Sequence, residues 1–339
     1  MNLKQFSRKT LKIFLPLLLG FALLWFLYRK SEMTEIVEII RKGVNYKVLF
    51  ASLLFGLAAN VTRGVRWAML IDSLGKTVRK KNAILAVLGN YAINLAIPFR
   101  AGEFWRCGIT SKYEKIPFMK LLGTLFVDRF MDTVTVSLLT LCLFIFNIPF
   151  FSSFFSENPP LIIDTLFRIL SSVWIYLGII VIVVFIWILF TKFKHLTIVQ
   201  IIRAWINNVM EGVKSIQKIE HKALFILQTL MIWGGYFIYF YMCFYAFDFT
   251  KDLGVRIGLI AFVMSSIGVA VPVQGGIGVW HFMVIFTLVT FGVNRTDADA
   301  FAFVVFAVQS IWIVLTGLFG IIALPLVNKN AKEPTTLNS

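Results

Sequence analysis

The feature that most constrains this chain is the recurrence of apolar runs long enough to cross a lipid bilayer. A helix rises about 1.5 Å per residue, so about 20 mainly apolar residues span a hydrocarbon core roughly 30 Å thick. Six stretches meet that test: 13–28, 47–70, 119–147, 162–190, 223–247 and 300–326. Two more, 83–98 and 257–293, are apolar but interrupted by Asn, Pro and Gly. Backbone N–H and C=O groups in hydrocarbon must be paired internally, which restricts spanning segments to helices and closed barrels. Runs of this length predict an all-α polytopic membrane protein with about six full spans and two broken or re-entrant helical hairpins.

Composition agrees. Of 339 residues, 15% are charged and 59% hydrophobic, against roughly 25% charged in soluble domains. Residues 1–327 therefore read as a single integral membrane domain and 328–339 as a short polar tail. The formal net charge of +16 would suggest nucleic acid on a soluble protein. Here the basic residues sit in short loops between apolar runs, where they face anionic headgroups, so nucleic acid is not an expected partner. Cys107, Cys142 and Cys243 are far apart, and His195, His221 and His281 lack metal-ligand spacing, so no metal site and no cofactor are expected.

Loop charges set the expected topology. The basic start of the chain precedes the run 13–28, which ends in Arg29-Lys30 without a small-residue cleavage site and reads as an uncleaved first span. The segments 71–82, 100–120 and 191–222 are rich in Lys and Arg, whereas 148–160 has neither. The positive-inside rule then places both termini in the cytoplasm. Both flanks of 83–98 are basic, so this stretch returns to its own side as a hairpin expected to break near Asn90–Asn94. By the same count 257–293 is a hairpin from the external side, with its turn at 271–278. Two broken segments from opposite faces raise an inverted repeat on topology alone, and such breaks at membrane depth usually line a site.

Several ionisable residues lie in or beside the apolar runs. After Pro98, Arg100, Glu103 and Arg106 follow at three-residue steps on one helix face, in the stretch that begins at Asn94. A carboxylate between two guanidiniums leaves donors free, and guanidinium forks match phosphate oxygens. A phospholipid-headgroup site and a structural ion-pair network both fit that spacing. Arg63 and Arg66 lie in one span, and Asp128, Arg129 and Asp132 in another, where charges need partners or water and by default suggest function. Around Gln274, Gly275, Gly276 and Gly278 the backbone can turn sharply. That turn would either present N–H groups to an anion or permit close helix packing. His281, beside Trp280, is either a titratable gate or a packed ring. The amphipathic segment 198–222 reads as a surface helix of the scaffold.

Taken together, Arg63-Gly-Val-Arg-Trp67, the Asn94–Arg106 stretch, Val127-Asp-Arg-Phe-Met-Asp132 and the Gly-rich break resemble the lysylphosphatidylglycerol synthase transmembrane-region family, or flippase-like domain family, in order and spacing. In its best-known relatives, the multiple peptide resistance factors, such a region moves aminoacylated phosphatidylglycerol between leaflets and a separate cytoplasmic domain makes it. The resemblance implies a translocator of phospholipid without the synthase domain, in a prokaryotic inner (cytoplasmic) membrane. Gln274 stands where the family usually has Pro, and His281 where it has an acidic residue. The expected function is translocation or headgroup binding of a phospholipid, aminoacylated or not, or of a lipid-linked substrate. Two alternatives stay open: a lipid-modifying transferase with Glu103 or Asp128 as general base, and an accessory scaffold for a separately encoded lipid-modifying enzyme. A homo-oligomer is compatible with either.

Overall fold

Asn45 begins the first long helix by accepting the Val48 N–H with its side chain, which supplies one of the donors a helix start leaves unpaired. The computed structural model describes residues 33–97, 99–148, 197–271 and 273–329, with Trp25 and Phe150. Among them run α1 (Met33–Lys42), α2 (Tyr46–Asp72), α3 (Lys80–Ala96), α4 (Ala101–Glu114), α5 (Phe118–Phe146), α6 (Thr197–Lys214), α7 (Lys222–Tyr241), α8 (Gly254–Ala270), α9 (Val279–Thr290) and α10 (Arg295–Val327). Among the described residues, four helical segments are long and apolar enough to cross a membrane: α2, α5, α7 with its 3-10 continuation to Ala246, and α10. They coincide with the expected spans 47–70, 119–147, 223–247 and 300–326. The runs 13–28 and 162–190 lie outside the described residues.

The two interrupted stretches are hairpins, but the first turns later than the expected Asn90–Asn94 break. α3 runs unbroken through those residues to Ala96. The chain reverses over 97–100, where Phe99 and Arg100 hold φ values of 58° and 52°. Pro98 lacks an N–H and disfavours the helical region for the residue before it, so the stop belongs at Ile97. Left-handed conformations at non-glycine residues cost about 1–3 kcal/mol each and persist only where surrounding structure enforces them. α4 returns antiparallel along α3: Trp105 packs over Gly89, the Gly102 N–H donates to Asn94 Oδ1 at 2.8 Å, and Asn82 and Arg79 both donate to Glu114 at the foot.

The second hairpin, α8 and α9, turns over 271–278 as expected. Gly268 of α8 lies against the Trp280 backbone of α9, and Gly275, Gly276 and Gly278 all have positive φ. A Cβ at Gly275 would stand 2.6 Å from the Leu95 side chain of the first hairpin, so glycine here lets the two tips touch.

Contacts along the helices order the bundle. α2 runs antiparallel to α7, with Gly56 against Tyr239 and Arg66 against Thr229, and antiparallel to α5, with Trp67 against Thr124 and Arg63 against Asp132. α10 descends antiparallel to α3, where Gly317 meets Ala92 and Gly320 meets the Leu85 carbonyl. α2, hairpin and α5 thus form one span–hairpin–span unit, and α7, hairpin and α10 form another of opposite direction. The feet of the first hairpin share a face with the basic segments 73–82 and 112–120, and the feet of the second lie on the other face. α5 turns Phe126, Phe130, Leu138, Leu141 and Ile145 outward, the apolar stripe a lipid-facing span requires. The amphipathic helix α6 packs against α5, tied by Lys120 Nζ to Glu211 at 2.8 Å.

Candidate functional site

Arg63 and Arg66 of α2, Asp128, Arg129 and Asp132 of α5, and Glu103 and Arg106 of α4 converge in the interior, although up to 69 residues of sequence separate them. The i, i+4 spacing of Thr124, Asp128 and Asp132 points all three at α2. Two layers result. In the deeper one, Asp128 receives Arg66 at 2.6 Å, Arg129 at 3.1 Å and Arg106 at 3.2 Å. Arg106 lies 4.3 Å above the Trp67 ring, whose indole N–H donates to Thr124. Arg66 also donates to Thr229 Oγ1 of α7. Arg66, Arg106 and Asp128 are each fully shielded.

In the shallower layer, Asp132 accepts Arg63 at 2.5 Å and Arg66 at 3.0 Å and faces Arg129 at 3.4 Å. Arg63 Nε donates to the Tyr236 hydroxyl, which donates to Asn60 and meets the Tyr91 hydroxyl at 3.2 Å. Glu103 lies 3.5 Å from Arg129 and 3.7 Å from Arg100. Five arginines face three carboxylates, so the group carries surplus positive charge even though every carboxylate in it is engaged.

The shallower layer borders a cavity of about 500 Å³, within the roughly 300–1,000 Å³ usual for ligand sites. Arg63, Arg129, Asp132 and Arg100 form its charged end. Its walls rise along α5 from Arg129 to Ser137 and along α7 from Trp233 to Phe240, about 10–12 Å of helix. α8 and α10 complete them with Phe262, Ser265, Ser266, Gln309 and Trp312. The hairpin tips meet at this cavity, where Arg100 Nη2 approaches the Val269 carbonyl at 3.5 Å.

The structure thus separates the residues singled out in sequence. Arg63, Arg100, Arg129 and Asp132 reach the cavity, and Arg66 and Asp128 are packed behind it. Arg106 is not the partner of Glu103 in a fork with Arg100: it turns to Asp128 instead, because α4 lays it on Trp67. The Asn94 side-chain oxygen is occupied as a cap for α4. Gly275 and Gly276 serve close packing, against Leu95 and Val269, and the cavity wall does not include them or Gly278. His281 is 2% exposed and its ring packs on Phe306 at 4.5 Å and on Trp280. Sequence reasoning missed Tyr91, Tyr236, Gln309 and Trp312. The one available signal was tyrosine and tryptophan in mid-span, away from the membrane interfaces where they usually collect.

The chain matches the family model described as the lysylphosphatidylglycerol synthase transmembrane region over residues 13–317. No curated protein and no solved structure matches it. With apolar spans, opposed hairpins and interior charges all in place, this multi-pass membrane protein belongs to the lysylphosphatidylglycerol synthase transmembrane-region family.

Proposed function

We propose that the protein is a lipid translocase that moves a phospholipid, aminoacylated or otherwise, between leaflets by holding its headgroup in the arginine-based cavity. The observation that carries this reading is the charged end itself: Arg63, Arg100 and Arg129 border a cavity of about 500 Å³ at the meeting point of two opposed hairpins. Burying charge at that depth is costly unless it is paired or hydrated, and surplus guanidinium beside open volume is the arrangement that binds a phosphodiester. The acyl chains remain in the bilayer. Basic loops on the side of the first hairpin's feet support a cytoplasmic orientation for that face in an inner membrane, and the family name supports a link to a separately encoded lipid-modifying enzyme.

The transferase alternative required Glu103 or Asp128 as a free general base. Asp128 is held by three guanidiniums within 3.2 Å and packed behind the cavity, which disfavours it as that base.

The test is reconstitution in liposomes, following loss of headgroup accessibility for labelled phosphatidylglycerol and labelled aminoacyl-phosphatidylglycerol. Arg100→Gln removes a half-exposed guanidinium without opening the core. A charge-assisted hydrogen bond is worth about 1.5–3 kcal/mol, so translocation should fall by roughly tenfold or more. A correctly folded, correctly oriented protein that moves no lipid would overturn the reading.

A further inference from the structure

The cavity is not closed on all sides. Five of the residues that line it are also exposed on the outside of the bundle: Arg100, Thr133, Ser137, Val269 and Ala270. They form one rim, with α5 on one edge and the two hairpin tips on the other. Thr133 and Ser137 lie about 23 and 29 Å along α5 from its first residue, on a helix about 43 Å long, which is near the middle of the span. On the same helix Phe126, Phe130, Leu138 and Leu141 face outward, so the rim opens among lipid-facing side chains.

Exposed polar groups at that depth need a reason. Arg100 is half exposed, with its guanidinium at weak range from the Val269 carbonyl and from Glu103, at 3.5 and 3.7 Å. A guanidinium facing hydrocarbon is disfavoured by several kcal/mol, and its backbone sits in the left-handed region as well. Beside it Phe99 is 69% exposed and Val269 48% exposed, which gives the charged rim apolar shoulders. We infer that this gap is a lateral portal through which a phospholipid headgroup slides between the bilayer and the cavity at mid-membrane depth, while its acyl chains lie against Phe99 and Val269. The occupant follows from the chemistry of the rim: a cation and the Ser137 hydroxyl for a phosphodiester, apolar shoulders for its tails, and continuity with the arginine-lined cavity. This inference rests on the lipid-handling reading above and adds where the lipid passes.

The test uses the full chain in vesicles containing phosphatidylglycerol with a photoreactive diazirine, either on the headgroup or at the end of one acyl chain. Adducts are then mapped by peptide mass spectrometry. Headgroup adducts on Thr133–Ser137 and around Arg100 and Val269 are expected. Headgroup adducts confined to the loops at the two ends of the bundle would overturn the portal. In parallel, Thr133→Trp and Ser137→Trp fill the gap from positions that already face outward, so the unfolding transition should stay at the wild-type value while translocation slows at least tenfold. Wild-type rates in both folded variants would also overturn it. If the wild-type protein moves no lipid but headgroup adducts still form on the rim, the transport reading fails and the portal stands.

Discussion

Removing the charge of Asp128 should unfold the bundle more readily than any single change at the cavity mouth. Asp128 takes three guanidiniums within 3.2 Å and a fourth at 3.7 Å, with no exposure of its side chain. Asp128→Asn keeps the shape but leaves Arg63, Arg66, Arg100, Arg106 and Arg129 facing only Asp132 and Glu103, so the local surplus grows from two positive charges to three. Taking one partner from a buried ion pair costs about 3–5 kcal/mol, because the charge left behind is neither solvated nor paired. Arg100→Gln provides the contrast: its guanidinium is half exposed and stands 3.7 Å from Glu103, and a charge facing hydrocarbon is itself disfavoured, so its loss should be small beside that of Asp128→Asn. Equilibrium unfolding in mixed detergent micelles measures both. A double-mutant cycle adding Arg106→Met, whose apolar stem can still cover Trp67, should give a combined loss smaller than the sum of the single losses, because the two groups touch. Asp128→Asn with wild-type stability, or strictly additive effects in the cycle, would refute the view of this layer as a packed charge knot.

Two further changes probe the scaffold. Asn94→Ala deletes the acceptor for the Gly102 N–H and should cost about 1 kcal/mol, with faster amide exchange confined to the first turn of α4. Gly317→Ala places a methyl group onto Ala92 and within 3.0 Å of the Leu88 carbonyl, so α10 must move off α3. The expected loss is about 1–3 kcal/mol, read as a lower unfolding midpoint, and an unchanged midpoint would show that the two helices separate freely.

The hairpin pair shows how far the chain could be read unaided. Basic flanks on both sides of 83–98 were enough to require a return to the same face, and Pro272 with three nearby glycines was enough to locate the second turn. The first turn was misplaced because Asn90 and Asn94 look like helix breakers in isolation. In the fold, Asn94 is instead a cap for the next helix, and a contact eight residues away leaves no periodic trace. The arginines are a second case. Their depth marked them as important, yet Arg100 and Arg106 share a spacing and part company in the fold, one to the cavity rim and one onto Trp67 beside Asp128.

Hydropathy and loop charge are local properties, since a helix pairs its own backbone and a Lys-rich loop resists translocation wherever it occurs. They alone determined the class, the four spans among the described residues and the opposed hairpins of this protein. Which guanidinium is neutralised and which is left over depends on which carboxylates arrive within about 4 Å from helices far apart in sequence, and only the tertiary structure decided that. The same holds for the cavity, whose walls are drawn from α2, α3, α5, α7, α8, α9 and α10, because empty volume is a property of how helices fail to fill space together and no single segment carries it.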